Sequence, residues 1–233
     1  MMLKKMAIGV LSLCLIAVSA NAGLFSGSVQ GTFGDVDHGF GDLYAITNGG
    51  ASFEWGIPAT KLDQNNRFTF TGFGFSNIME NAAFAIGDFY YQNGSTYFSA
   101  GINAVKLSIN MMLTTPVIQE VIFDYNFSLI NTPNITGNPV DDGDIVTVAT
   151  TASPETFTYL GTDYTLNLRG FSSDRGTTIR TDFSSPEGLS QSAQLFASIV
   201  TAEPANIPEP GIVSLFILGL SLVGSLALLR RKN

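Results

Sequence analysis

Apolar and polar side chains alternate strictly over long stretches of this chain, and that pattern restricts the possible folds more than any other feature. In Val105-Lys106-Leu107-Ser108-Ile109-Asn110-Met111 every odd position is apolar and every even one polar. Val121, Phe123, Tyr125, Phe127 and Leu129 repeat the pattern, with Asp124, Asn126 and Ser128 facing the other way. A period of two is that of a strand with one buried and one wet face; a helix would scatter the same side chains around its axis. Tyr164, Leu166 and Leu168 alternate with Thr165, Asn167 and Arg169, and Leu195 and Ile199 with Gln194 and Ser198. Further strands are predicted at 29–33, 53–56, 67–75, 84–92, 144–150 and 155–160. Turn signals separate them at Asn48-Gly49-Gly50, Asn138-Pro139 and Asp141-Asp142-Gly143. Asn93-Gly94, between Tyr90-Tyr91-Gln92 and Thr96-Tyr97-Phe98, reads as the clearest hairpin. About ten short half-buried strands without an amphipathic helix predict an all-β domain, an antiparallel β-sandwich of jelly-roll-like form, over residues 23–200.

Helices are expected only at the two ends. Lys4 and Lys5 precede an apolar run from Ala7 to Val18, and Ala20-Asn21-Ala22 forms a small-x-small site. Residues 1–22 therefore read as a secretory signal helix, cut by signal peptidase after Ala22. Cys14, the one cysteine, lies inside it. Leu13 before it is too large for a lipidation site, so the processed chain carries no thiol. Disulfides, thiolate zinc sites and a cysteine nucleophile are excluded for that processed form. At the other end, residues 201–210 form a proline-bearing spacer. The 19 residues from Gly211 to Leu229 then contain no charge and no proline. As a helix they would span about 28 Å, one hydrocarbon core. Arg230, Arg231 and Lys232 follow at once in the tail 230–233, which would hold that terminus on the cytoplasmic side.

Pro208-Glu209-Pro210, the apolar stretch 211–229 and the cations Arg230, Arg231 and Lys232 together resemble the PEP-CTERM sorting signal of Gram-negative bacteria. The resemblance implies recognition by an exosortase in the inner membrane and transfer to the cell surface or extracellular matrix, in company with exopolysaccharide. The interior carries a second resemblance. Phe53-Glu54-Trp55-Gly56, Phe68-Thr69-Phe70-Thr71-Gly72, Ile86 to Gly94, Asn131-Thr132-Pro133-Asn134, Asp144-Ile145-Val146, Tyr164 to Phe171 and Phe183 to Gly188 follow one another in an order similar to that of the choice-of-anchor K domain. That family is a β-rich surface module, and it brings no catalytic residue. The Trp-Gly followed by a Phe-rich strand also resembles the THxN group of PEP-CTERM proteins. The Thr-His-x-Asn motif itself is missing, because the single histidine is His38.

Charge narrows the partners. The chain has a net charge of −8, and with Lys4, Lys5, Glu209, Arg230, Arg231 and Lys232 set aside, 6 cations face 18 carboxylates. Nucleic acid and anionic lipid headgroups need clustered cations, so neither is an expected partner. Catalytic sets are equally scarce. A Ser-His-Asp triad would have to use His38, in the glycine-rich run Asp37-His38-Gly39-Phe40-Gly41. A glycosidase pair is not readable from sequence, because the separation of two carboxylates in space is what defines it. The chain is therefore expected not to be an enzyme. Calcium is the only cofactor candidate, at Asp141, Asp142 and Asp144 or, less favourably, at Asp35 and Asp37; turns crowded with acids can supply its oxygens. Trp55, Tyr90, Tyr91, Tyr97 and Tyr159 are candidates to stack on sugar rings, with Trp55 better placed as core. The pairs Thr69/Thr71 and Thr156/Thr158 are too isolated to make an ice-binding array. The expected role is structural or adhesive in an exopolysaccharide matrix, with a carbohydrate-binding module as the alternative. An aromatic platform on an exposed strand face would favour the alternative, and two buried, facing carboxylates in a cleft a hydrolase.

Overall fold

The computed structural model describes residues 24–38, 43–97, 101–150 and 153–202. The signal segment, the spacer beyond Ala202, the apolar stretch 211–229 and the basic tail all lie outside the described residues. Among those described, no helix is long and apolar enough to cross a membrane.

Among the described residues thirteen strands follow one another: β1 (Phe25–His38), β2 (Tyr44–Thr47), β3 (Ser52–Trp55), β4 (Asn66–Gly72), β5 (Gly74–Ile78), β6 (Phe84–Gln92), β7 (Ile102–Thr115), β8 (Gln119–Ile130), β9 (Asp144–Val148), β10 (Phe157–Tyr159), β11 (Thr162–Ser172), β12 (Asp182–Ser185) and β13 (Ser190–Thr201). They form two antiparallel sheets, one of six strands in the order β12-β9-β8-β7-β1-β5 and one of seven in the order β10-β11-β13-β6-β4-β3-β2. The architecture is a β-sandwich.

The expected alternation sets the faces. Phe123, Tyr125, Phe127 and Leu129 are buried along β8, Val121 is half-buried, and Asp124, Asn126 and Ser128 are exposed. In the neighbouring β7, Ile109 stands opposite Phe123 and Ser108 opposite Asp124, so apolar faces apolar and polar faces polar across the pair. Ser108 donates to the Asp124 carboxylate at 2.6 Å on the wet side. Aromatic rings from opposite sheets close the interior. Phe89 of β6 stacks on Phe127 at 5.5 Å, Phe171 of β11 meets Phe183 of β12 at 5.5 Å, and Phe25 of β1 packs edge-on against Tyr164 at 5.3 Å. Ring pairs at such separations add about 0.5–1.5 kcal/mol each to the effect of burial alone.

Two expectations need correction. The predicted strand 67–75 is two strands in different sheets, and Phe73 is the crossing. Its amide donates to Ile86 O of the seven-stranded sheet at 2.9 Å, while its carbonyl accepts from Val29 N of the six-stranded sheet at 2.8 Å. The chain can pass so close only because residue 72 is glycine, since a Cβ there would lie 1.9 Å from Val29 O. The predicted hairpin at Asn93-Gly94 does not form either. Strand β6 pairs with β4 and β13, and Thr96 makes only an isolated bridge to Pro58. Asn93 is instead 1% exposed, donating to Ser185 O at 3.0 Å, and Gly94 N donates to Asn66 Oδ1 at 2.8 Å. The turn at Asn48-Gly49-Gly50 does join an antiparallel pair, β2 and β3, with φ of 52°, 65° and 98° at its three residues. Asn and Gly are the residues that tolerate such angles.

Candidate functional site

At one end of the sandwich a cavity of about 220 Å³ opens where several strands begin or stop. Its wall is supplied by Gly94, Thr96 and Tyr97 after β6, Gly101 and Asn103 around the start of β7, Asn131 to Asn134 after β8, Asp144 at the head of β9, and Glu187 in the turn between β12 and β13. The adjoining strands β6, β7, β8 and β9 also carry buried side chains into the interior, which fixes where these ends stand.

Two carboxylates dominate it. Asp144 is 6% exposed. Its Oδ1 accepts from the Thr132 amide at 2.8 Å, and its Oδ2 accepts from the buried Tyr91 hydroxyl at 3.2 Å. Burial pushes the Asp144 carboxyl above its ordinary value, against the opposing pull of the Thr132 and Tyr91 hydrogen bonds. Glu187 accepts on Oε1 from Ser95 Oγ at 2.6 Å and from Asn134 Nδ2 at 2.7 Å, and Oε2 takes no hydrogen bond from the described residues. Its carboxyl is also pushed up, first by burial and then by the charge of Asp144, while the Ser95 bond works the other way. Tyr91 is held well above its usual value by burial and then by Asp144, so its hydroxyl keeps the proton that it donates to Asp144. A nearby like charge disfavours ionisation, as that of Asp144 does for Glu187.

The acidic turn expected to hold calcium is distributed differently. Asp142, 4% exposed, receives the Thr136 amide on Oδ1 and the Gly137 amide on Oδ2, each at 3.0 Å, and so ties down its own loop. Burial would raise its carboxyl, yet the bonds from Thr136 and Gly137 outweigh that and hold it below the ordinary range. Asp141 is exposed and accepts from Asn138 Nδ2 at 2.8 Å. Asp144 alone of the three reaches the cavity. Among the described residues no three His, Cys, Asp or Glu side chains are grouped as a metal site. Of the other pair, Asp35 is engaged by Lys106, whose Nζ also lies 3.2 Å from Asp124. His38 ends β1.

The aromatic candidates separate clearly. Trp55 is core, 1% exposed, stacked on Phe53 at 5.3 Å and on Tyr91 at 6.0 Å, and its indole Nε1 finds no hydrogen-bond partner among the described residues. Tyr90 lies under the Arg67 guanidinium at 5.6 Å, and Tyr159 is half-buried. Tyr97 is 54% exposed at the rim of the cavity. The residues of the sorting motif (Pro208, Glu209, Pro210), the cations (Arg230, Arg231, Lys232) and the cleavage site (Ala20, Ala22) lie outside the described residues.

Sequence reasoning missed Glu187. It sits in Pro186-Glu187-Gly188, an ordinary turn signal, and its partners Ser95 and Asn134 are 92 and 53 residues away. No local pattern announces such a meeting. No protein-family profile matches the chain, and no curated protein matches it.

Proposed function

We propose that this chain is an exported, non-enzymatic sandwich protein of the cell surface or extracellular matrix, structural or adhesive within exopolysaccharide and sorted by an exosortase. We read the sandwich as jelly-roll-like, flanked before processing by a signal helix at 1–22 and a membrane helix at 211–229. The tail Pro208-Glu209-Pro210, with its apolar stretch and cations, supports the address. The carrying observation for the role is the outer face of the six-stranded sheet. Thr32, Ser108 and Asp124 stand in one cross-strand row, and Gln30, Asn110 and the exposed Ile122 in the next. Asn126, Ser128 and Thr147 continue the face, and every aromatic of β1, β7, β8 and β9 points inward. A mostly polar, hydrogen-bonding face without an aromatic stacking platform suits packing within a hydrated matrix.

Replacing Glu209 by Ala tests the address. The altered protein should insert in the inner membrane but remain there at full length, as read by fractionation and mass spectrometry. Arrival in the matrix shortened by the tail helix would overturn the sorting reading.

A further inference from the structure

We propose that the end cavity is a binding site for one neutral, hydroxyl-rich ring, a hexopyranose unit of a polysaccharide. The surface reading above only says where such a sugar would be met; the binding itself rests on the cavity alone.

Four properties of the wall carry the inference. Its volume of about 220 Å³ falls below the ~300–1,000 Å³ of pockets for larger ligands, which fits a single ring. Its polar groups have both senses: Glu187 Oε2 can only accept, the Thr96 hydroxyl can donate while it accepts from Asn66 Nδ2 at 3.3 Å, and the Asn103 and Asn131 amides carry both functions. A sugar hydroxyl likewise gives one hydrogen bond and takes others. Tyr97 offers an exposed ring at the rim, where one apolar face of a pyranose can rest. Finally, the deepest polar group is preorganised, because Asp144 is held on both oxygens by Thr132 and Tyr91.

The same details disfavour the rival occupants. Calcium takes six to eight oxygens, whereas here hydrogen-bond donors already point at both oxygens of Asp144 and at Oε1 of Glu187. A uronic acid would set a third carboxylate against two. Hydrolysis needs two carboxyls driven apart, one ionised and one protonated. Asp144 and Glu187 are pushed in the same direction, which does not separate an acid from a base.

The test uses the full-length chain in a detergent that is not itself a glycoside. Saturation-transfer NMR with methyl glucosides, galactosides and mannosides, each in both anomeric forms, should show binding of at least one, with a Kd on the order of 1 mM for a ligand of this size. Tyr97→Ala and Glu187→Gln should each weaken that binding at least tenfold, while Asn126→Ala, on the distant sheet face, leaves it unchanged. Should Glu187→Gln fail to fold, the exposed Tyr97 carries the comparison. Binding of none of these glycosides, or binding indifferent to Tyr97→Ala in the folded protein, overturns the proposal. So does glucuronic acid binding as well as the neutral sugars, calcium binding that depends on Glu187 while the glycosides fail, or turnover of nitrophenyl glycosides. Loss of sorting in Glu209→Ala leaves every one of these outcomes unaffected.

Discussion

Between the sheets, Phe89, Phe127 and Phe171 sit ring against ring within about 6 Å, almost wholly out of water. At the end of the same sandwich, Asp144 and Glu187 share a small cavity with amides and hydroxyls, each carboxyl pushed toward its neutral form. The first region gains stability from every contact it makes. The second spends some of that stability to keep polar groups aimed at a space. The difference teaches that the interior fixes where the strand ends stand, and the strand ends then hold together a polar cluster drawn from segments far apart in the sequence. The two regions touch at Tyr91, whose ring packs on Trp55 and Phe68 while its hydroxyl reaches Asp144.

The contrast can be broken most easily in the interior. Phe123→Ala should cost roughly 3–5 kcal/mol, as loss of a buried aromatic does, and denaturant midpoints will show it. A loss under about 1 kcal/mol would mean that β8 does not face the other sheet. Tyr125→Phe probes a bond across the two sheets, where the hydroxyl donates to Leu166 O at 2.5 Å in a buried setting. Its removal should cost about 0.5–1.5 kcal/mol, and an unchanged midpoint would remove the polar stitch from the account.

The acidic end should differ in the pH dependence of its stability. The fold raises the Glu187 carboxyl above its ordinary 4.5, so the folded state holds that proton more tightly than the unfolded one. Stability from this group is therefore present at low pH and lost as pH rises through the raised value. Glu187→Gln has no proton to lose, so it should gain on the unaltered protein as pH climbs above 4.5. Urea midpoints taken below and well above that value compare the two, and a gap that stays constant would mean that Glu187 is not constrained by its neighbours. The smallest effect is expected on the wet face, where Asn126→Ala should shift stability by about 0.5 kcal/mol or less. A one-residue slip in register would exchange the roles of residues 123 and 126. Equal losses at the two positions would end the distinction between the faces.

The site was legible only in fragments. Asp144 and the run Asn131 to Asn134 drew notice in the sequence, the first for calcium and the second within a family likeness. Asn93-Gly94 drew notice too, but as a hairpin. The hairpin expectation rests on local turn chemistry, which is sound at Asn48-Gly49-Gly50, where β3 has β4 on one side and its other side open to β2. At Asn93 it lost to packing, because β6 already has β4 on one side and β13 on the other. Glu187 lies in Phe183 to Gly188 of the same likeness, yet nothing local singles it out as a site residue.

From its sequence alone this chain is an alternating, half-buried β protein, and the inward and outward sides of β7 and β8 can be assigned residue by residue. Burial on one face imposes a period of two, and that period is written within each segment. Only the tertiary structure decided that residues 67–75 split at Phe73 between two sheets, that Asn93 turns inward, and that Ser95, Asn134, Asp144 and Glu187 meet. Those outcomes depend on contacts between segments tens of residues apart, and such contacts are settled by how two complete sheets fit together, which no short stretch of sequence encodes.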